Sequence, residues 1–441
     1  MPALFARTFP VLIAPRQIKN SPVASPNELF KVLLLGNNLP MLELEDALRK
    51  ILAALPPPVS ERVPLPDAAQ RVLLARMLAP IDLPPFDNSA MDGYALRAAD
   101  VTGANAATPV TLRLGGRIPA GENFSGEVAA GECVRLFTGS PLPRGADAVV
   151  MQEDTRLEPS QPGLVSFLDA ARPGENIRRR GEDIARGAVM AKTGDVMSSG
   201  RISLLTATGV GDVTVGRRPT VGLLATGSEL CEAGRPLVPG QIYESNRTAL
   251  APLVIGAGGL PKIFPLIPDA LAATEAALES AFAECDLVLT SGGVSVGEMD
   301  FVKMAFEKLG GELQFWKVAM RPGKPFMFGR RGGKFLFGLP GNPVSAFVTF
   351  LLLARPALRR WQGATEVSLP AHSGELAGPL ANPGDRRHFM RVRVDTAGKV
   401  FSAGRQASHA LASLASANGL VDVPPGKTFP AGAKVTVWRW D

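Results

Sequence analysis

Three short strings in this sequence each follow an apolar run and each carries glycine: Thr226-Gly227-Ser228-Glu229, Ser291-Gly292-Gly293, and Gly338-Leu339-Pro340-Gly341-Asn342-Pro343-Val344-Ser345. Glycine after a strand lets a ligand approach the backbone and frees N–H groups to face an anion. One such turn is usually only a turn. Three of them on one sheet point to a phosphate or nucleotide cleft. None is a Walker loop, and no GxGxxG fingerprint is present.

Charge sharpens the picture. Between residues 313 and 365 there is no Asp or Glu, while the same stretch holds Lys317, Arg321, Lys324, Arg330, Arg331, Lys334, Arg355, Arg359 and Arg360. Arg330, Arg331 and Lys334 fit a solvated hairpin turn. The segment from Lys317 to Pro325 is different, because two prolines and a glycine fix the path of three cations. Rigid cations suit a compact oxyanion, since less ordering entropy is lost on binding. Carboxylates lie on other loops: Asp87, Asp92, Glu182, Asp183, Glu229, Glu298 and Asp300. Each alone suits the surface or a helix cap. Taken with the cations they suit a phosphoryl site in which Mg²⁺ offsets like charges. No nucleophilic Ser–His or Cys–His pair is evident.

The elements that must position these groups follow from periodicity. Residues 218–362 alternate strand and helix: Thr220–Ala225, a helix near Asn246–Ile255, Lys262–Ile267, a helix from Pro268 and Asp269 to about Glu284, Leu287–Thr290, a helix over Asp300–Leu309, Phe335–Leu339, and a helix to about Arg359 with Asn342 suited to its N-cap and Pro343 to its first position. That alternation predicts a parallel α/β sheet with covered faces, whose ligands sit at the carboxyl ends of the strands. Residues 42–55 and 198–208 are helical by period, and the stretch 81–178 between them is Gly/Pro-rich with short alternating runs. We expect one elongated, helix-rich domain from 41–80 and 179–217, interrupted by an inserted β domain at 81–178. Residues 363–441 predict a separate C-terminal β domain. Residues 1–40 hold Arg7, Arg16, Lys19 and Lys31 against Glu28 alone, and Met41 opens an amphipathic helix. The first forty residues are expected to be a disordered tail or to precede the true start.

Composition excludes several classes. The chain has 441 residues, 46% hydrophobic and 20% charged, which is a multidomain globular composition. With aromatics at 6% and a net charge of only +6, no nucleic-acid partner is expected. Three separated cysteines give neither a disulfide framework nor a zinc site, which points to a reducing cytoplasm and an oxygen-ligated metal. No apolar run approaches the ~20 residues of a membrane helix, so no membrane partner is expected.

Eight strings together resemble the molybdopterin molybdenumtransferase family, called MoeA in bacteria and present as the gephyrin E domain in animals. They are Pro85–Leu96, Arg135–Gln152, Gly174–Ile184, Leu224–Leu230, Gly240–Asn246, Leu289–Asp300, Phe315–Phe326 and Phe337–Ala346. The likeness runs from about 41 to 441 and thins over the last domain, where Arg391 and Gln406-Ala407-Ser408-His409 carry it. It implies four domains, including a MogA-like molybdopterin-binding α/β domain, and a homodimer with a cleft shared between subunits. The implied reaction moves molybdenum from molybdate to adenylylated molybdopterin, releases AMP and needs Mg²⁺. The adenylyltransferase and molybdoenzyme chaperones would be further partners.

Position by position, the resemblance places Asp92, Thr138 and Asp183 at the cleft. It makes Glu229 and Asp300 the acidic candidates for Mg²⁺ and the nucleotide phosphate. Ser291, Gly292, Gly293 and Asn342 belong to the substrate loops, which Pro340 and Pro343 shape. Lys317, Arg321, Lys324, Ser345, Arg391 and Ser408 would hold molybdate or the pterin phosphate. The sequence departs from the family pattern at Ser228, where Asp is frequent, and at Arg321, where Lys is common; Arg keeps the charge and changes the donor geometry. Two other readings stay open at this point: a molybdopterin adenylyltransferase, and a non-catalytic scaffold that presents the pterin.

Overall fold

The structure, a computed structural model, describes residues 41–119, 121–157, 160–294 and 301–440. The expectations for residues 1–40, Glu298 and Asp300 lie outside the described residues.

The first helix, α1 (Leu44–Ala54), carries Glu45 and Asp46 in its first turn, where acidic groups offset the helix dipole. Leu44, Ala47 and Ile51 form its buried stripe. That stripe packs into a core shared with Val221, Leu289, Phe337 and Leu358. This differs from the sequence reading, which joined the helix to the 179–217 segment. Three consecutive prolines, Pro56 to Pro58, end the helix and free the chain to turn away.

Residues after Pro58 do co-fold with the second flank. Leu65, Leu73 and Ala79 share one core with Met190, Met197, Leu205 and Val213. Ser60–Pro64 pairs antiparallel with Asp212–Gly216. This part contains one α-helix, Ser199–Ala207, capped by the Ser198 hydroxyl, and is otherwise built of short strands. Between the flanks lies a six-stranded sheet, in spatial order 148–151, 93–96, 132–136, 110–118, 164–167 and 155–157.

The site-bearing part is a second six-stranded sheet. Its strands are β1 (Thr220–Ala225), β2 (Leu260–Ile263), β3 (Leu287–Ser291), β4 (Glu312–Trp316), β5 (Met327–Arg331) and β6 (Lys334–Leu339), in spatial order β2-β1-β3-β6-β5-β4. The first four in that order are parallel. Beyond them β5 pairs antiparallel with both β6 and β4, so among the six it alone runs in the opposite direction and the sheet is mixed, which corrects the expectation of a wholly parallel sheet. The cause is local: Gly332-Gly333 joins β5 to β6, with φ +60° at Gly332, so the chain doubles back. Every residue of β3 is buried, as a strand covered on both faces requires. The covering helices are α2 (Asn246–Gly256), α3 (Leu271–Glu284), α4 (Phe301–Lys308) and α5 (Pro343–Thr349). The α5 helix runs on through a π-helical turn, Phe350–Ala354, into Arg355–Trp361. Pro356 has no N–H to offer the Leu352 carbonyl, and the widened turn accommodates that loss.

The last part is a closed sheet. Strands 387–394, 399–402, 371–376, 434–439 and 419–423 follow in order, and the last pairs back to the first. Met320–Arg321 adds to it as an outer strand, parallel to Arg387 and His388. Among the described residues no helix is long and apolar enough to cross a membrane, and Cys133, Cys231 and Cys285 are all free.

Candidate active site

The carboxyl ends of β1, β3 and β6 open into a cleft of ≈ 670 Å³. All three glycine strings reach it: Gly227 and Glu229, Ser291 to Val294, and Pro340 to Pro343. The glycines are required by space as well as conformation. At Gly292, φ is +88°, and a Cβ would stand 2.7 Å from the Thr226 carbonyl oxygen. At Gly293, φ is +66°, and a Cβ would stand 2.9 Å from Thr226 Oγ1. No other residue lets the two loops approach so closely.

One side chain ties the second and third glycine strings together. Asn246 Nδ2, at the start of α2, donates to Ser291 Oγ at 2.5 Å and to the Gly341 carbonyl at 2.7 Å. The sequence reading passed over Asn246, because its partners lie 45 and 95 residues away. Asn342 was expected to cap α5. It occupies the N-cap position, but its side chain makes no capping bond. The amide of Val344 instead donates to the Ser408 carbonyl at 3.1 Å. His409 and Leu411, from the same C-terminal segment, line the cleft.

The acidic groups divide. Glu229 lines the cleft, its carboxylate folded against Gly227. Asp269 lines it as well, although the sequence placed it only at a helix start. Asp269 and Ser228 hold each other reciprocally: the Ser228 N–H donates to Asp269 Oδ2 at 3.0 Å, and the Asp269 N–H donates to Ser228 Oγ at 3.0 Å. Asp92 and Thr138 belong to the inserted sheet and do not line this cleft. There the Thr138 N–H and then its hydroxyl, at 2.7 and 2.8 Å, hold the Asp92 carboxyl below the usual carboxylate range. Asp183 is exposed, beside a network in which Arg179 and Arg180 bind Asp87 and Asp82.

The cations behave differently from one another. Arg321 and Lys324 are exposed and make no ion pair among the described residues. Lys317 adopts φ +78° and lays its Nζ over the Trp316 ring at 4.3 Å. Lys324 adjoins Pro325, which lines the cleft. Ser345 is buried inside α5, and its carbonyl accepts from Thr349 Oγ1. Arg391 does not line the cleft. Its buried guanidinium donates to Ser413 Oγ at 3.1 Å and to the Arg405 and Ala407 carbonyls at 2.7 and 3.2 Å, with Nη1 unpartnered. Burial lowers its pKa to about 10. It therefore organises the loop that leads to Ser408.

Family models match nearly all of the described chain. The MoeA N-terminal region (domain I and II) matches residues 42–209, a probable molybdopterin binding domain matches 222–360, and the MoeA C-terminal region (domain IV) matches 373–440. A molybdopterin molybdenumtransferase from Haemophilus influenzae is 38% identical over 404 residues, covering 90% of this chain and 98% of that protein. Molybdopterin molybdenumtransferase 2 from Mycobacterium tuberculosis is 42% identical over 383 residues, covering 85% and 94%. The chain belongs to the molybdopterin molybdenumtransferase family. The crystal structure of the molybdopterin biosynthesis protein MoeA from Pyrococcus horikoshii covers 91% of this chain and 100% of its own, at 30% identity and a TM-score of 0.77. Within this family the cleft falls inside the region matched as molybdopterin-binding, apart from His409 and Leu411, which the C-terminal region supplies.

Proposed function

We propose that this chain transfers molybdenum from molybdate to adenylylated molybdopterin and releases AMP, as a cytoplasmic enzyme. The observation that carries the reading is the cleft itself. Three glycine turns present backbone to an anion, one amide bridges two of them, and the unpaired cations Arg321 and Lys324 stand on a proline-bound segment leading to its wall. Molybdate is a tetrahedral dianion and the pterin nucleotide is also anionic, so bringing them together requires fixed positive charge. An adenylyltransferase would need little beyond the α/β region, whereas both flanking family regions are present here.

The reading divides the chain into a flank domain at 41–80 and 179–217, whose first helix docks on the α/β core, an insert at 81–178, the α/β domain at 218–362 and the C-terminal domain at 363–441. It also includes a homodimer. Asp92 and Thr138 do not line the cleft of their own chain, and a second copy would bring an inserted sheet to it. The adenylyltransferase and molybdoenzyme chaperones remain proposed partners.

Mg²⁺ fits the residues in one manner only. Among the described residues no trio of His, Cys, Asp or Glu forms a metal cage. Glu229 and Asp269 supply carboxylate oxygens to the cleft, and Thr226 Oγ1, nine-tenths buried, has no partner. Two carboxylates with substrate phosphate oxygens and water suit Mg²⁺, which seldom takes an all-protein cage. Glu229 would hold it, and the ion would supply charge neutralisation between phosphate and molybdate. The chain's own residues do the rest: the glycine turns orient the phosphate, Asn246 bridges two of the turns, and Arg321 and Lys324 attract the oxyanion.

The test is direct. Purified protein given adenylylated molybdopterin, molybdate and Mg²⁺ should release AMP and yield active cofactor. ATP consumption with unadenylylated molybdopterin, and no AMP release from the adenylylated form, would overturn the reading.

A further inference from the structure

The floor of the cleft is polar and its rim is not. Ile242 and Tyr243 line it while remaining 55% and 48% exposed, and Leu411 lines it from the C-terminal segment at 46% exposure. Large apolar groups left in water beside a polar floor mark a surface meant to be covered. A compact oxyanion has no use for them. A ligand with an anionic part and a flat apolar part uses both ends.

Tyr243 is the group suited to the flat part. It is one of only two tyrosines in the chain. Its hydroxyl donates to the Arg235 carbonyl at 2.9 Å, so the ring is held at its far end. Its backbone is held as well. Leu230–Cys231 and Ile242–Tyr243 pair in parallel, the Ile242 N–H donates to the Glu229 carbonyl at 2.9 Å, and the Glu244 N–H donates to the Cys231 carbonyl at 2.9 Å. The next residue, Glu244, is locked by Arg247 at 2.9 Å. An aromatic ring fixed at both ends before binding loses little entropy when a second ring stacks on it.

We propose that Tyr243, flanked by Ile242 and with Leu411 also on the rim, forms a stacking wall for a planar heteroaromatic ring of the substrate. This rests on the cleft being the binding site of a pterin nucleotide, and it adds which side chain recognises the flat end. The pterin and the adenine share the chemistry: a planar ring with polarisable faces and a polar edge. The wall and the glycine floor would then act as a two-point gauge. Free phosphate, sulfate and molybdate satisfy the floor alone, so they would not displace a ligand that also holds the wall.

The experiment is calorimetric titration of wild type, Tyr243→Ser and Tyr243→Phe with AMP, with molybdopterin lacking the adenylyl group, and with molybdate. Tyr243→Ser should weaken one of the two ring-bearing ligands by about tenfold or more, the scale of losing one aromatic stacking partner. The ligand that weakens identifies the ring as adenine or pterin. Tyr243→Phe keeps the ring and should stay within about threefold of wild type, and molybdate binding should be unchanged in both variants. Loss of all three ligands together would mean that Tyr243 only supports the fold, and would overturn the proposal. So would unchanged affinity for both ring ligands. So would a shift of Tyr243→Ser in size-exclusion chromatography with ligand binding intact, since the rim would then belong to a subunit contact. If wild type binds neither AMP nor molybdopterin, the reading of the cleft itself fails and the wall fails with it.

Discussion

The Ser408 carbonyl accepts a hydrogen bond from the Val344 amide at 3.1 Å, so a loop of the closed C-terminal sheet completes the first turn of the helix beginning at Pro343. The bond gives α5 the capping that Asn342 does not provide. It also makes the geometry of the cleft depend on the C-terminal segment, and through that segment on Arg391, which holds the Ala407 carbonyl.

Arg391→Ala should therefore be destabilising. The substitution removes the guanidinium bonds to the carbonyls of Arg405 and Ala407, which keep only Ser413 Oγ and the Ala410 N–H, and leaves a void where a fully buried guanidinium stood. The expected loss is about 2–4 kcal/mol, the scale of lost hydrogen bonds from a charged donor together with a buried void. Urea unfolding measures it. A variant as stable as wild type would show that the side chain serves ligand binding alone.

Gly292→Ala should damage both stability and binding. Alanine at φ +88° is strained, and its Cβ would meet the Thr226 carbonyl oxygen at 2.7 Å. A cost of about 1–3 kcal/mol follows from the strain. AMP affinity should fall more steeply than the melting temperature, because the Thr226 and Ser291 loops part at the cleft. Paired calorimetry and thermal melts would separate the two effects.

His388 predicts an acid sensitivity with a definite sign. Burial, and then the charges of Arg321 and Arg391, lower its pKa to about 4, and neither ring nitrogen has a partner. The unfolded chain binds this proton near the ordinary histidine value of about 6.5. The folded state rejects it, so stability is full above about pH 6.5 and falls as pH drops toward about 4. The decline attributable to this group totals about 3 kcal/mol. His388→Gln should flatten the stability profile over that window. A profile as steep as wild type would assign the acid sensitivity elsewhere.

Asp92→Asn and Glu229→Gln should each abolish AMP release when pure, and should partly restore it when subunits are mixed and allowed to exchange. The reason is that Asp92 does not line the cleft that contains Glu229. One of the two shared sites in a mixed dimer would then be intact, giving roughly a quarter of wild-type activity for random exchange at equal input, where half the dimers are mixed. No recovery after verified exchange would mean that each subunit works alone.

Much of this site is legible in the sequence, and what is missed has a common cause. The apolar runs of β1, β3 and β6 and the glycines after them are local signals, and the structure gathers all three at one edge. Asn246 and Asp269 gave no such signal, because their roles lie in partners far along the chain: Ser291 and Gly341 for the first, Ser228 for the second. The hairpin turn over Arg330, Arg331 and Lys334 was legible, but β4 and β5 were not read as strands of this sheet, because an alternating apolar run does not state which sheet it joins. The docking of α1 was missed because its stripe of Leu44, Ala47 and Ile51 fits any large apolar core. Arg391 was legible as a cation but not as a buried one, since burial is a property of the closed sheet around it.

The guanidinium of Arg387 joins Glu45 of α1, at 2.6 Å, to Asp422 of the C-terminal sheet, at 2.6 Å. The two ends of the Glu45–Arg387 pair are 342 residues apart in sequence. At the usual rates of translation, ~5–20 residues per second, roughly 17–70 s separate their emergence from the ribosome. For most of that interval α1 carries an apolar stripe whose core, which runs on to Leu358 and beyond, is incomplete. Glu45 and Asp46 place charge on that segment until the helical stretch Phe350–Trp361, and after it Arg387, arrive to receive it.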